Sequence, residues 1–276
     1  MTYKLTNLFQ DGVALLGNSA YFRGTATGGS ATTLVDTSLT EKSEEDLKNG
    51  TVVIVRDAGG VVDASPEGKL GAITAYTDST WTMTFTPTMT ELVAAGDEYM
   101  IVSPQFPLVD LRRIANLALQ RVGTFKRWDT SITTADSQTE YTLPVALKLT
   151  PQNLRVFVAT DTDTNDYGWE LVNGARIIPS AAGVAGTLVL PQLTAGYTVG
   201  IEYETTHPIV YNYSDVVDDA IHPVLAQLLF ATELFAWVGI TDDNRDQANK
   251  ILSDLSEAKR MFKLPRVTRS PNFLAW

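Results

Sequence analysis

The chain has 276 residues, of which 44% are hydrophobic and 19% charged, with no cysteine and a formal net charge of −11 at pH 7. The lack of cysteine excludes disulfides, thiolate nucleophiles and cysteine-bound metals, and the acidic balance argues against tight binding along a nucleic-acid backbone, which requires clustered lysine and arginine. No apolar run is long enough for a membrane span and residues 1–10 lack the features of a secretion signal, so we expect a protein that folds in a reducing cytoplasm.

Residues 1–20 predict an N-terminal helical segment, in which the weak amphipathic period of Leu5 to Leu16 is interrupted by Gly12. Residues 21–105 predict a first β module, because short apolar or alternating runs are separated there by turn residues. Such a series of short strands is typical of a small barrel or sandwich. The strand-like runs are TTLVDTSL, GTVVIVRDAGG, GAITAYT, WTMTFTP and GDEYMIVSP.

Gly28 and Gly29 stand before a run of hydroxyl residues, a composition that is also found in phosphate-binding loops. A P-loop carries a lysine followed directly by serine or threonine, because the ammonium group reaches the outer phosphates. Here the first lysine after the glycines is Lys42, beyond a strand-like run, and we expect no helix to follow the glycines. We therefore predict that Gly28 and Gly29 are hairpin residues that precede a strand.

Residues 106–126 predict a helix, with Pro107 near its start and Gly123 near its end. Residues 127–208 then predict a second β module built from hairpins, in which alternating residues indicate one buried face and one solvated face. The apolar face of the helix consists of Leu111, Ile114, Ala115, Ala118 and Val122.

Residues 209–263 predict two C-terminal helices. The first runs from Pro223 to Val238 and is apolar nearly all round, so we expect it to be buried on several sides. Gly239 ends this helix, and Thr241 caps the next one. The inward face of the last helix is predicted to consist of Ala248, Ile251, Leu252, Leu255 and Phe262.

The predicted order of elements is a helix, a β module, a helix, a second β module and two helices. Because the helices are separated in sequence and each shows an apolar face, we expect about four helices to pack together. The predicted fold class is therefore α+β, a helical bundle with two inserted β modules, the first of them a small barrel or sandwich.

Residues 264–276 predict an extended tail, because Pro265 and Pro271 hinder a helix and favour extended backbone. Every charge after Glu257 is positive, and apolar side chains follow the last arginine. We predict that this tail leaves its own subunit and docks on a neighbouring protein with its aromatic residues as hot spots, a frayed terminus being the alternative. The predicted docking residues are Arg266, Arg269, Phe273, Leu274 and Trp276.

The side chains that most often carry chemistry form no recognisable catalytic motif. His207 and His222 each precede a proline and neither belongs to an H-E-x-x-H helix, so we predict that they are solvated or cap a helix. The acidic cluster between Glu41 and Asp46 predicts a solvated surface, since a pair of catalytic carboxylates requires burial. With no G-x-S-x-G motif either, we predict no catalytic, metal or cofactor site and no enzyme; a hydrolase without a recognisable motif is kept as an alternative.

The loop that starts at Asp161 begins like a calcium-binding EF-hand. Asp161, Asp163 and Asn165 have the spacing of calcium ligands. However, the sixth position of this loop is Asp166, where an EF-hand has glycine, and the twelfth is Val172, where an EF-hand has a bidentate glutamate. We therefore predict a solvated hairpin tip in preference to a calcium site.

Several stretches follow one another in a characteristic order over Ala26 to Phe262. They are ATGGSATTLVDTSLT, NGTVVIV, AAGDEYMIV, LRRIANLALQRVG, TEYTLP, GTLVLPQLTAGYTVGIEYETTHP and a final helical pair that begins at Pro223. This arrangement resembles the head–tail connector proteins, also called adaptor or neck proteins, of tailed bacteriophages. The resemblance lies in the order of elements and in turn signals, and the chain departs from it in the first helix, broken by Gly12, and in the long C-terminal tail.

The resemblance implies a structural role in a virion. In that family many copies form a ring, commonly twelvefold, which docks beneath the portal at the head–tail junction and lets DNA pass through its channel without specific binding. The expected partners are the chain itself, the portal protein and a downstream neck or tail protein, with assembly in the host cytoplasm and neither catalysis nor a cofactor. The acidic balance of the chain agrees with a channel that does not grip DNA.

A protein of another class is the main alternative. Exposed aromatic residues at hairpin tips, such as Tyr167 and Trp169, would suit a β-rich receptor- or carbohydrate-binding protein of a virion or bacterial surface. The predicted share of helix argues against this alternative, because a lectin-like module does not need about four helices.

Overall fold

The computed structural model of the chain describes residues 2–17, 19–59, 66–89, 91–143, 152–161, 168–178 and 186–262. The described residues divide into two compact units. The first unit contains those of Met1–Val122 and Pro208–Leu264, and the second contains those of Gly123–His207. Within the described ranges, no helix is both long enough and apolar enough to cross a membrane.

Seven strands of the first unit form one antiparallel sheet. In chain order they are β1 (Tyr21–Thr25), β2 (Gly28–Gly29), β3 (Thr33–Val35), β4 (Thr51–Arg56), β5 (Leu70–Thr77), β6 (Thr82–Thr86) and β7 (Glu98–Val102). Their order within the sheet is β1-β7-β4-β5-β6-β3-β2. Strands β1 and β2 stand at opposite ends of this order, yet only Ala26 and Thr27 separate them in the chain, so the sheet curls until its two ends meet.

The interior of the curled sheet is a buried apolar core. In β6, Met83 and Phe85 are buried while the threonines that alternate with them are more exposed, which is the pattern of a strand with one buried face. The core consists of Ala26, Leu34, Leu39, Leu47, Val52, Ile54, Ile73, Tyr76, Met83, Phe85, Met89, Val93, Tyr99 and Ile101.

Gly28 and Gly29 form strand β2, which pairs with β3, so the prediction that they are hairpin residues is confirmed. A Cβ atom at Gly29 would stand 2.5 Å from the backbone oxygen of Thr33 and 3.0 Å from the side chain of Val93. Only glycine fits such a close approach of two backbone segments.

Five helices complete the first unit. They are α1 (Leu5–Ala14), α2 (Glu44–Leu47), α3 (Leu108–Gln120), α4 (Pro223–Val238) and α5 (Arg245–Met261). Helix α4 packs against α1, α3 and α5, and nine of its sixteen residues are buried. The prediction that this helix is buried on several sides is therefore confirmed.

Helix α1 runs through Gly12 without interruption, so the predicted break of the first helix at Gly12 is wrong. Gly12 is buried, and a Cβ atom at this position would overlap the ring of Phe230 in α4. Phe230 in turn stacks on Phe9, with ring centroids 5.5 Å apart. The glycine therefore allows α1 and α4 to approach each other closely.

The predicted fold class, a helical bundle with two inserted β modules, is wrong. The described residues are mostly β-sheet, with three antiparallel sheets and five short helices. The curled sheet has a core of its own, and α1 and α3 also contact strands β4 and β5. Apolar faces on the separated helices thus do not indicate a bundle, because a helix buries its apolar face equally well against a sheet.

The inward face of α5 is predicted correctly at three positions and wrongly at a fourth. Ala248, Ile251 and Leu255 are buried, whereas the side chain of Leu252 is 45% exposed. Leu252 lies beside Ile251 on the helix, about 100° further round its axis, and therefore at the edge of the buried face. Phe262, directly after the helix, is half-buried and stacks on His222.

The second unit consists of two antiparallel sheets around one apolar core. Its strands are β8 (Thr124–Thr133), β9 (Glu140–Thr142), β10 (Gln152–Ala159), β11 (Trp169–Leu171), β12 (Arg176–Ile178), β13 (Thr187–Val189) and β14 (Thr198–Thr206). One sheet has the order β11-β10-β14-β8 and the other β12-β13-β9. The core between them consists of Ile132, Tyr141, Leu143, Val156, Leu188, Leu190, Val199, Ile201 and Tyr203.

Candidate functional site

Three aromatic side chains cover one face of the four-stranded sheet in the second unit. The ring of Trp128 in β8 contacts both Phe157 of β10 and Trp169 of β11. The ring centroids of Trp128 and Phe157 are 5.3 Å apart, and Trp128 meets Trp169 edge to face at 4.8 Å. These distances are typical of favourable aromatic pairs. We call Trp128, Phe157 and Trp169 the aromatic face.

The register of the strands brings these side chains together. Phe157 pairs with Gly200, Trp128 pairs with Glu202, and Trp169 pairs with Ala159. Directly opposed residues project from the same side of a sheet, so all of them share one face. The residues that alternate with them in β14 project into the core of the unit.

Gly200 is the floor of the aromatic face. A Cβ atom at this position would overlap the ring of Trp128 and would stand 2.7 Å from Cζ3 of Trp169. The missing side chain therefore allows both indole rings to lie over β14.

The aromatic face remains open to solvent in this chain. The side chain of Trp128 is 45% exposed, and that of Leu171, opposite Phe157, is 55% exposed. Polar side chains continue the same face beyond Trp128, where Lys126 donates to Glu202 at 2.9 Å. An apolar surface with a charged border is suited to bind a flat or apolar group.

The C-terminal end of α4 in the first unit is a second exposed apolar surface. Trp237, Val238 and Ile240 are 46%, 40% and 53% exposed, although the rest of this helix is largely buried. We call these three residues the α4 tip. Gly239 ends the helix with φ 86°, and its carbonyl oxygen accepts a hydrogen bond from the side chain of Asn244 at 3.2 Å. The backbone of the α4 tip is therefore held in place by the turn that leads to α5.

A third exposed apolar surface lies beside α3 and consists of Ile209 and Tyr211. The side-chain amide of Asn116 binds the backbone of Val210 twice, accepting from its N–H and donating to its oxygen, both at 2.8 Å. Val210 is buried as a result, whereas its neighbours Ile209 and Tyr211 are 73% and 64% exposed. The guanidinium group of Arg112 lies 4.6 Å from the centre of the Tyr211 ring.

Asp215 fixes the backbone at and after Tyr211. Its carboxylate accepts hydrogen bonds from the backbone N–H groups of Tyr211 at 2.5 Å and Asn212 at 2.8 Å. Partial burial opposes its ionisation, but these two hydrogen bonds, a third from the side chain of Asn212 and the charge of Arg112 together outweigh burial and lower the pKa of Asp215. Ile209 and Tyr211 therefore project from a fixed backbone.

A buried polar pair lies inside the curled sheet. The hydroxyl group of Tyr99 donates to the carboxylate of Asp36 at 2.5 Å, and both side chains are buried. Burial and this hydrogen bond raise the pKa of Tyr99. The neighbouring cleft, lined by Arg23, Gly24 and Glu98 among others, has a volume of about 200 Å³, smaller than the ~300–1,000 Å³ of typical ligand pockets.

The predicted docking residues of the tail, Arg266, Arg269, Phe273, Leu274 and Trp276, lie outside the described residues. The same holds for Tyr167 and for positions 162–167 of the calcium-like loop, so those predictions stay predictions. Trp169 is described, and it belongs to the aromatic face. Trp128 and Phe157 are not among the predicted site residues, although strand alternation in TFKRWDTSIT together with Gly200 inside a strand could have indicated a packed outer face.

The structure also places the two histidines and the acidic cluster that the sequence analysis considers as candidates. His222 caps α4, accepting at Nδ1 from the backbone N–H of Val224 at 3.3 Å, which confirms one of the two roles predicted for it. His207 is buried, so a solvated role for it is wrong.

The acidic residues of α2 are exposed, as predicted for a solvated surface, and hydrogen bonds from the backbone and hydroxyl of Ser43 lower the pKa of Asp46. Among the described residues, no group of three or more His, Asp and Glu side chains is arranged to hold a metal ion.

Comparison with protein-family models and with the curated proteins identifies no match for this chain.

Proposed function

We propose that the chain is a non-enzymatic virion protein, the subunit of a head-to-tail connector ring of a tailed bacteriophage. Its copies join the portal to the neck or tail, and DNA passes through the central channel. One observation supports this proposal more than any other: large apolar side chains are exposed on both units at positions where the backbone is fixed.

The residue types at these positions favour protein contacts. Trp128, Tyr211 and Trp237 are 45%, 64% and 46% exposed. Single exposed apolar residues are ordinary, but tryptophan and tyrosine in clusters are typical of contact surfaces and of the hot spots within them. A subunit of a ring has neighbours on several sides, which cover such surfaces in the assembly.

The rigidity of these surfaces supports the same proposal. Asn116 and Asp215 fix the backbone around Ile209 and Tyr211, and Asn244 fixes the turn after the α4 tip. A preorganised surface loses less conformational entropy when it binds. A small loss of conformational entropy on binding favours long-lived assemblies such as a virion neck.

The charge of the chain is compatible with a DNA channel. A net charge of −11 provides no general attraction for phosphates, which a passage for moving DNA must not hold tightly.

A β-rich receptor- or carbohydrate-binding protein is the second candidate, and the aromatic face is the observation that favours it. Two indole rings and a phenyl ring on one sheet face offer a stacking surface for a flat ligand, and Trp169 is one of the residues for which the sequence suggests this role. The two candidates differ in what the isolated protein does: a connector subunit assembles with itself or with the portal, whereas a lectin binds a sugar as a single subunit.

Sizing the purified full-length chain separates the two candidates. We expect mass photometry to show ring-sized oligomers of the chain alone, or a stable complex once the portal protein of the same phage is added. A chain that stays monomeric with and without portal, and that binds immobilised glycans through Trp128 and Trp169, would contradict the connector and support the second candidate. Trp128→Ser is the variant that tests the glycan contact.

A further inference from the structure

The four-stranded sheet of the second unit has two edge strands, β8 and β11. Among the described strands, β8 pairs with β14 alone and β11 with β10 alone. The backbone groups of an edge strand can pair with a strand of another chain. Every neighbouring pair in this sheet is antiparallel, so its first and fourth strands run in opposite directions. If two copies lie side by side with the same sheet face outward, β8 of one and β11 of the other are therefore antiparallel as well.

The outward-pointing backbone groups of β11 follow from its hydrogen bonds with β10. In an antiparallel sheet, the N–H and C=O groups of successive residues point alternately to one side of the strand and to the other. The N–H of Val172 donates to β10 at 2.8 Å, and the carbonyl oxygen of Gly168 accepts from the residue after β10 at 2.9 Å. These two residues and Glu170 between them face β10. The backbone groups of Trp169 and Leu171 therefore point outward.

The same alternation assigns the outward-pointing groups of β8. The β10 residue that accepts the bond from β11 is followed by one that faces β14, and its partner there is Gly200. The next residue of β14, Ile201, then faces β8 and its partner Asp129. Counting back from Asp129, the backbone groups of Lys126 and Trp128 point outward.

We infer that β8 of one copy pairs with β11 of the next copy, so that the four-stranded sheets of neighbouring copies join edge to edge. The inference rests on the proposed function in one respect, that the copies form a ring. A contact between two different edges continues from copy to copy and can close a ring, whereas β8 paired with a second β8 ends at two copies. The inference adds the strands and side chains through which neighbours bind.

The charges at the two edges select one register. Through their pairing partners, Arg127 and Glu170 both lie on the side of the sheet that faces the core. Registers that keep the sheet faces aligned differ by two residues, so Glu170 is placed opposite Phe125, Arg127 or Asp129. Only Arg127 offers an opposite charge, and Asp129 repels a carboxylate. With Glu170 opposite Arg127, Asp129 lies opposite Gly168, which has no charge.

The selected register also matches the backbone and the aromatic face. It sets Trp169 opposite Trp128 and Leu171 opposite Lys126, and these four residues are the ones with outward-pointing backbone groups. Each of the two pairs therefore exchanges both of its N–H···O bonds. Trp128 and Leu171 are exposed in a single copy, and the neighbouring strand covers part of each.

Charge exchange between two full-length variants tests the contact. We expect Arg127→Glu alone and Glu170→Arg alone to self-associate at least about tenfold more weakly than the unmodified chain, because like charges are then opposed. An equimolar mixture should regain association, since copies that alternate around a ring meet opposite charges at every contact. Sedimentation velocity with and without the portal protein measures association, and circular dichroism with thermal melting shows whether each variant is folded.

The matched controls are Arg176→Glu in β12 and Glu140→Arg in β9. They make the same changes of charge at exposed positions of the other sheet of the second unit. We expect both controls to associate like the unmodified chain.

A proline tests the backbone contact separately. Because the N–H of Leu171 points away from β10, Leu171→Pro removes no hydrogen bond within the copy, and proline is tolerated at such edge positions. We expect this variant to stay folded and to associate at least about tenfold more weakly than the unmodified chain. Leu171→Thr keeps the N–H and should associate more tightly than Leu171→Pro.

A covalent test reports the register even if the charge variants fold poorly. The chain has no cysteine, so Arg127→Cys in one copy and Glu170→Cys in another create the only thiols. These positions form a pair without backbone hydrogen bonds, in which the Cα atoms are about 4.5 Å apart and a disulfide fits. Mild oxidation of the mixture should give a disulfide-linked heterodimer, whereas Asp129→Cys with Glu170→Cys should give far less.

Three results would overturn the inference. Association that is not regained in the mixture of folded charge variants would exclude the pairing of Arg127 with Glu170. A disulfide between Arg127→Cys and Asp129→Cys of two copies would mean that β8 pairs with a second β8. Rings or portal complexes that form equally well from every variant would exclude the edge contact and leave the connector proposal standing. Conversely, association that depends on β8 and β11 in a chain that never binds portal would support the edge contact and contradict the connector.

Discussion

Gly200 of β14 lies directly beneath the indole ring of Trp128, so closely that a single added methyl group would overlap the ring. This relationship leads to our first prediction. Gly200→Ala should displace Trp128 and cost about 1–3 kcal/mol of the free energy of unfolding, the usual cost of overpacking. Chemical denaturation, monitored by tryptophan fluorescence, measures this loss of unfolding free energy.

The control for this variant is Gly28→Ala. A Cβ atom at Gly28 would have no neighbour within 4 Å, so we expect little change in stability. Equal effects of the two substitutions would show that Trp128 does not rest on Gly200.

Leu229 and Leu252 give a second prediction, because the sequence assigns both to buried helix faces and the structure separates them. Leu229 in α4 is 4% exposed and Leu252 in α5 is 45% exposed. Leu229→Ala should cost about 2–5 kcal/mol of unfolding free energy through the cavity it leaves. Leu252→Ala should cost no more than about 0.5 kcal/mol, as surface substitutions do. Urea titration of both variants is the measurement, and a similar loss at both positions would mean that Leu252 is buried after all.

Tyr99 gives a third prediction, for alkaline pH. Burial raises the pKa of its hydroxyl group in the folded chain, and the hydrogen bond to Asp36 raises it further. The unfolded chain releases this proton at a pH of about 10, whereas the folded chain retains it. The contribution of Tyr99 to the free energy of unfolding is therefore complete below a pH of about 10 and is lost as the pH rises further. The loss is at most about 1.4 kcal/mol per pH unit for each such tyrosine.

The matched variant is Tyr99→Phe. At pH 8 it should lower stability by about 1–3 kcal/mol, because the buried carboxylate of Asp36 loses a donor. Between pH 10 and 11 its unfolding free energy should fall less steeply than that of the unmodified chain. An identical pH slope for both proteins would show that Tyr99 titrates normally in the folded state.

Asp215 gives a fourth prediction, at the opposite end of the pH scale. Its pKa is lowered in the folded chain, so the stability that it contributes is present above the ordinary aspartate pKa of about 3.9 and is lost as the pH falls through the lower folded value. Asp215→Ala should therefore lower the melting temperature at pH 7 and have a smaller effect at pH 3. Asp219→Ala is the control, because no hydrogen bond is described for the Asp219 side chain. If the loss of melting temperature in Asp215→Ala were as large at pH 3 as at pH 7, this would contradict the role of Asp215.

Local patterns in the sequence predict the ends of α3 and α4 well, whereas the predicted cap of the last helix at Thr241 is wrong, because α5 begins at Arg245 with Asn244 as its N-cap. Pro223 and Gly239 delimit α4 because one suits the first turn of a helix and the other takes a positive φ after its end. Likewise Pro107 precedes α3, and Gly123 follows it with φ 104°. These signals depend on backbone conformation within one element, so neighbours distant in sequence do not alter them.

Properties that depend on distant neighbours could not be predicted in this way. The apolar stripe of a helix does not show whether it faces another helix or a sheet, which is why the fold class was wrong. Gly12 interrupts a helical pattern in the sequence but receives Phe230 in the fold, a contact between residues more than 200 positions apart. The aromatic face likewise depends on the register that sets Trp128, Phe157 and Gly200 side by side.

The most direct test of the connector proposal is electron cryomicroscopy of the virion to which the proposal assigns this chain, with the neck as the region examined. We expect a ring of copies directly beneath the portal, with a curled seven-stranded sheet and the α4–α5 pair recognisable in every copy and DNA passing through the centre. Density for this chain at a fibre, on the capsid surface or nowhere in the particle would contradict the proposal.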